Sequence, residues 1–239
     1  MTHAKIAALP VRTRQHLDTL VASLQETLGD ELRSLLVYGS VARGGFDAER
    51  SDVDLVVVLG DDGRERLQTI APALELARHA ARIEAILLRA DELQRAADVF
   101  PLLYDDIRGC SIVLHGDNPF ATLTILDEHR RLRIEQELRE SRIRLRRALV
   151  EATGAPRTLA GAVERKLKQI RSPLHALLRL RGVASDDGIA TTLKGCAERW
   201  KLELGALART REDAHAAHDA LVKLLDAAIA DVDAIEGGK

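Results

Sequence analysis

The chain has almost no aromatic residues and little sulfur. Phe, Trp and Tyr make up 3% of its 239 residues, and there are two cysteines and one methionine. Cys110 and Cys196 show neither a metal-ligand spacing nor a disulfide framework, so they read as reduced thiols. The scarcity of aromatics leaves no stacking platform for single-stranded nucleic acid. An excess of one charge is missing too. With 35 Lys and Arg against 37 Asp and Glu, the net charge of −2 gives no global field to gather a polyanion. No apolar run approaches the roughly 20 residues of a membrane span. The opening MTHAKIAALPVRTR lacks the apolar core and cleavage site of a signal peptide. These absences argue against membrane and extended nucleic-acid partners and set the expectation of a cytoplasmic protein.

Leucine and alanine are abundant, which leans the chain toward helix, and 46% hydrophobic residues supply ample core for one large or two modest domains. The densest signal lies in residues 35–58, LLVYGSVARGGFDAERSDVDLVVV. An apolar run ends at Gly39-Ser40. Eleven residues separate Ser40 from Asp52-Val53-Asp54, which opens a second, valine-rich run. Both runs read as buried strands. Alternation along a strand puts Asp52 and Asp54 on one side. Two close carboxylates stay ionised most easily with cations between them, and a small oxygen-only set suits magnesium. Glycine lets a phosphate approach the backbone, where the following amides and hydroxyl can donate to it.

This pattern of strand, Gly-Ser, spacer and acid-x-acid resembles the signature of the nucleotidyltransferase superfamily, the polymerase β-like fold. Gly39, Ser40, Asp52 and Asp54 match it, and the sequel Val41-Ala42-Arg43-Gly44 resembles the minimal and antibiotic-modifying members. The resemblance implies that Gly39 and Ser40 hold the triphosphate of an NTP, and that Asp52 and Asp54 bind metal, two Mg2+ ions. It also implies a third carboxylate on a neighbouring strand, and Glu84 is the acid inside the next predicted strand. Arg43 could reach a phosphate, or be a plain surface arginine. The implied reaction moves an NMP group, AMP above all, to a hydroxyl of a small molecule or protein. The alternative is a nucleotide-binding or regulatory module of the same fold that transfers slowly or not at all, such as a toxin partner.

Along the chain, Leu17, Leu20, Val21, Leu24 and Leu28 predict a helix closed by Gly29 and packed on the sheet. A short helix follows Ser40 and ends at Gly44-Gly45. Residues 64–79 predict a helix interrupted by Pro72, and residues 83–88 a third strand. Asp91 is expected to cap a helix over 92–97. Beyond the Phe100-Pro101 break, Asp105 and Asp106 would diverge on a strand and serve structure. Residues 111–115 predict a last strand, and FPLLYDDIRGCSIVLHGDNPF resembles the end of the superfamily domain. The fold class is therefore α+β: a mixed-sheet nucleotidyltransferase domain over residues 1–122, then an all-α helical bundle over 123–239.

The bundle is expected from helices over 127–152, with an apolar stripe at Ile134, Leu138, Leu145 and Leu149, then 158–181, 189–207 and 211–235, with a loop over 182–188. Its arrangement resembles the C-terminal domains of kanamycin-type enzymes, in which two chains share a site, so a homodimer is a candidate state. The arginines of the first bundle helix alternate with acids at helical spacing, which predicts a self-paired, solvated face. Arg171 and His175 stand closer together than the Arg and His of the HEPN nucleases, and Pro173 lies between them. His215 and His218 are expected as a surface pair on the last helix.

Overall fold

The structure, a computed structural model, describes residues 3–49, 51–183 and 186–235. Two compact units divide the chain, Met1–Thr124 and Ile125–Lys239.

In the first unit a four-residue helix, α1 (Ala4–Ala7), precedes α2 (Val11–Leu28), which Gly29 ends at φ +51°. The sheet then begins with β1 (Leu32–Tyr38), followed by the short α3 (Gly39–Arg43), β2 (Val53–Leu59), α4 (Arg64–Ala81), β3 (Ile83–Arg89), α5 (Pro101–Gly109) and β4 (Ile112–Gly116). The sheet order is β3-β2-β1-β4. β1 runs antiparallel to β2 and β4, whereas β2 and β3 are parallel because α4 carries the chain back between them. The sheet is thus mixed.

Leu35, Val37, Leu55, Val57 and Ile83 share one face with Leu17, Leu20 and Leu24 of α2 and with Ile70 and Ala77 of α4. Leu36, Val56 and Val58, of opposite parity, are also fully buried. Burial on both faces explains why these strands read as unbroken apolar runs. Each fully buried leucine contributes about 1.5–3 kcal/mol relative to an exposed one, so the sheet stands on these residues and not on the loop between Gly44 and Val53.

Two local expectations fail here. Residues 92–97 form hydrogen-bonded turns and not a helix, because Arg89 grips the Asp91 carboxylate that would have capped one. Residues 102–107 form helix and not strand, because Pro101 sits at the first helical position, where its missing N–H is harmless. Tyr104 on this helix packs edge-on against Phe120, with ring centroids 5.1 Å apart. Pro72 lies within α4, which continues through it.

The second unit is all helix, with α6 (Asp127–Glu151), α7 (Pro156–Leu180), α8 (Ile189–Trp200) and α9 (Ala214–Asp233). α6, α7 and α9 pack on one another, and α8 packs on α7. Their shared core holds Ile134, Leu138, Leu145, Val163, Ile170, Leu174, Leu221, Leu224 and Val232. Ser141, and not Leu149, completes the buried stripe of α6; Leu149 is exposed. The helix expected over 189–207 stops at Trp200. Lys201 turns left-handed at φ +53°, and the Trp200 indole N–H is pinned to Asp231 at 2.9 Å. Residues 205–209 form a separate 3-10 turn. Pro173 is buried within a continuous α7. Of the loop expected over 182–188, residues 184 and 185 lie outside the described residues. Arg133, Arg144 and Arg147 pair with Glu137, Glu140 and Glu151 along α6 as its sequence suggests, whereas Arg142 reaches across to Asp226 of α9. Arg171 donates to the Asp187 carbonyl at 3.0 Å. His218 is buried at 6% exposure, correcting the surface placement, whereas His215 is exposed. Among the described residues no helix is long and apolar enough to cross a membrane.

Candidate active site

Strand register builds the site. Tyr38 of β1 pairs with Asp54 of β2, and Asp54 pairs with Glu84 of β3. Paired residues share a face, so Tyr38, Asp54 and Glu84 form a row across three strands, roughly 5 Å apart at each step. The row lies on the face opposite Leu55 and Val57, at the end of the sheet where β1 passes into α3. Asp52 precedes β2 by one residue, at the same end.

Gly39 opens α3 at φ +68°, a conformation that disfavours any side chain. The space its missing Cβ would occupy is taken by the Asp54 carboxylate, since a Cβ there would lie 2.0 Å from Oδ2. Glycine is therefore required twice over, by conformation and by contact. The next residue, Ser40, has a buried Oγ without a hydrogen-bond partner. A buried hydroxyl left unpaired costs roughly 1–3 kcal/mol, which an incoming oxyanion would relieve. Gly44 closes α3 in the left-handed region, and Lys5 of α1 donates to the Ala42 carbonyl from outside.

The electrostatics follow from this crowding. Burial, and then the Asp52 charge, push the Asp54 carboxyl up to about 6. Arg43 opposes this and Glu84 adds to it, so Asp52, Arg43 and Glu84 all act on one carboxylate. Burial, Asp54 and Asp106 raise the Tyr38 phenol to about 12, so it remains a neutral donor at physiological pH. Asp52 itself is gripped by Arg82, whose Nε lies 2.8 Å from Oδ1. Arg82 caps α4 in the left-handed region at φ +53° and also donates to the Glu49 carbonyl at 2.9 Å.

All six residues singled out from the sequence thus lie at one end of the sheet: Gly39, Ser40, Arg43, Asp52 and Asp54 around the Gly-Ser turn, with Glu84 on the exposed edge strand. Three contributors were not foreseen. Tyr38 could have been, as the strand-end residue before the glycine. Arg82 and Asp106 had no spacing signal, because the helix cap and α5 bring them in. Among the described residues no three His, Cys, Asp or Glu side chains form a complete ligand set for an ion. One or two carboxylates beside a glycine turn with an unpartnered hydroxyl nonetheless fit magnesium, which takes the rest of its shell from water and other oxygen ligands.

The chain was compared with known proteins. No curated protein matches. Among solved structures, it is similar to a spectinomycin adenyltransferase from Enterococcus faecialis, determined with ATP and spectinomycin. Identity is 14% over 89% of this chain and 98% of the other, with a TM-score of 0.46. The family model of the nucleotidyltransferase domain matches residues 17–143, more than half of the chain, including β1, the Gly-Ser turn, β2 and β3. The chain belongs to the nucleotidyltransferase domain family, and so to the transferases of phosphorus-containing groups.

Proposed function

We propose that the protein moves a nucleoside monophosphate, AMP above all, from an NTP to a hydroxyl of a small molecule or protein, with two Mg2+ ions at Asp52 and Asp54. The observation that carries this reading is the Asp54 carboxylate pressed against Gly39, beside the unpartnered Ser40 hydroxyl and in register with Glu84. The catalytic part would be the first unit, with the helical unit selecting the acceptor. The supply of NTP places such an enzyme in the cytoplasm.

In this reading Gly39 admits the triphosphate to the backbone, Ser40 donates its hydroxyl proton to a phosphate oxygen, and Arg43 offers a second, charged donor. The acceptor oxygen bonds to the α-phosphorus as the bond to the bridging oxygen breaks, and pyrophosphate leaves. The acceptor proton passes to Glu84, the acid with the freest access to solvent. Bound magnesium would polarise the phosphoryl oxygens and offset the charge gathered on the leaving pyrophosphate.

The test is pyrophosphate release from ATP, GTP, CTP and UTP with magnesium and a panel of hydroxyl acceptors. Release by the wild type but not by Asp54→Asn is the expected result. One observation favours a second reading, a nucleotide-binding module without turnover: Asp52 is already committed to Arg82. That module would show magnesium-dependent thermal stabilisation by nucleotide, lost in Asp54→Asn, without pyrophosphate release. Absence of both binding and release would sink both readings.

A further inference from the structure

The helical unit contains a cavity of about 170 Å3 between α6 and α7. Its rim and floor carry Arg144, Arg165, Lys166 and Gln169, and Leu145 and Ala148 form part of the wall. Lys166 is 9% exposed as a residue, uncommon for lysine, and its ammonium lies part-buried at the cavity. Its hydrogen-bond partner is neutral, the Gln169 Oε1 at 2.6 Å. Arg165 makes no hydrogen bond or ion pair among the described residues. Gly161, one turn earlier, leaves room for its guanidinium, because a Cβ there would lie 3.3 Å from Nη1. The nearby carboxylate, Glu140, is engaged by Arg144. Two cations of this cavity therefore have no carboxylate partner.

A part-buried ammonium whose hydrogen-bond partner is neutral is weakly compensated, and proteins ordinarily pair such groups or place them where a ligand supplies the counter-charge. Burial and then the Arg144 charge push the Lys166 ammonium toward losing its proton, and the Glu140 charge only partly opposes them. The remainder of α6 shows what a merely structural solution looks like: Arg133, Arg139 and Arg147 each have a carboxylate one turn away. Lys166 and Arg165 depart from that arrangement beside the cavity. Guanidinium and ammonium together suit a phosphate oxyanion: Arg offers a planar fork of donors and Lys a compact charge.

We propose that the α6–α7 cavity is a binding site for a phosphate-bearing anion, held by Lys166, Arg165 and Arg144. The bound group would accept hydrogen bonds from the Lys166 ammonium and the Arg165 guanidinium. Gln169, freed from its role as sole partner, would orient the lysine.

The test uses the whole protein in metal-free buffer with chelator, titrated with inorganic phosphate and with pyrophosphate by calorimetry and by thermal shift. Saturable binding is expected, weakened at least tenfold by Arg165→Gln, abolished by Lys166→Met and unchanged by Asp54→Asn. Lys166→Met should also melt higher than wild type without anion, since a weakly compensated charge is gone, and gain nothing on adding it. Displacement of pyrophosphate by ATP would assign the phosphates of a nucleotide as the source, whereas indifference to ATP would assign a separate phosphorylated compound. Failure of both anions to saturate, or wild-type affinity in Lys166→Met and Arg165→Gln, would overturn the proposal. Arg165 is exposed, so its variant keeps the test decisive even if Lys166→Met folds poorly.

Discussion

Asp54 in the first unit and Asp231 in the second are both partly buried carboxylates, and their surroundings treat them in opposite ways. Burial alone would raise Asp231, but hydrogen bonds from Arg199 and the Trp200 indole, together with the Arg199 and Arg181 charges, hold it below the usual range. Asp54 has crowding carboxylates where Asp231 has donors, and it rises to about 6. The helical unit thus uses its acid as a staple that ties α8 and the end of α7 to α9. The sheet unit keeps its acid crowded by other carboxylates, beside an unpartnered serine hydroxyl. Strongly perturbed groups arise in structural ion-pair networks as well as in active sites. What separates the two is the sign of the shift and the presence of an open donor.

Several substitutions would break or sharpen this contrast. The largest effect is expected from Asp54→Asn, which should lower pyrophosphate release on the order of 10³-fold, as loss of a central electrostatic group does, while the variant melts no lower than wild type. Gly39→Ala should disturb the same site through the fold. The left-handed backbone and the contact with Asp54 predict a loss of about 1–3 kcal/mol in chemical unfolding, together with loss of thermal stabilisation by nucleotide. Asp231→Ala, in contrast, should destabilise the protein by about 2 kcal/mol, because three donors lose a buried acceptor, and leave Asp54-dependent nucleotide binding intact.

The pH dependence should differ in sign between the two acids. An unfolded aspartate titrates near 3.9. In metal-free protein, Asp54 holds its proton up to about 6, so the folded state binds more protons between these values. Its contribution to stability therefore falls as pH rises from about 4 to about 6, and that slope should vanish in Asp54→Asn. Asp231 has a depressed value, so its contribution is present above the unfolded value and is lost as pH falls through the folded one. Paired denaturation curves at pH 4 and pH 7 on wild type and the two single variants would separate these terms. The smallest effect belongs to the exposed Arg147–Glu151 pair on α6, where Glu151→Gln should change stability by no more than about 0.5 kcal/mol.

Much of the fold was legible because the elements concerned are periodic and self-contained. The leucine stripe of α2, the valine run of β2 and the Gly-Ser turn with its acid pair each declare themselves within a few residues. β1 and β2, which carry the turn and the acid pair, are consecutive strands and pair with each other. Residues 92–97 and 102–107 misled because a neighbour decided them: Arg89 captured the capping carboxylate, and Pro101 started a helix where apolar content suggested a strand. His218 looked like a surface residue because one-dimensional spacing does not show which face of a crowded helix turns inward.

The sequence by itself determined the mixed α+β class, the change to an all-helical second part, and the gathering of Gly39, Ser40, Asp52 and Asp54 at one sheet end. It did so because hydrophobic periodicity and glycine conformation act locally. Only the tertiary structure decided that Asp54 and not Asp52 is the crowded acid, that Arg82 holds Asp52, and that Glu84 stands in register beside Asp54. It alone decided that Lys166 lies at a cavity with a neutral hydrogen-bond partner, Gln169. Those outcomes depend on strand register, helix caps and burial, which join residues far apart in the chain and set the charge each one feels.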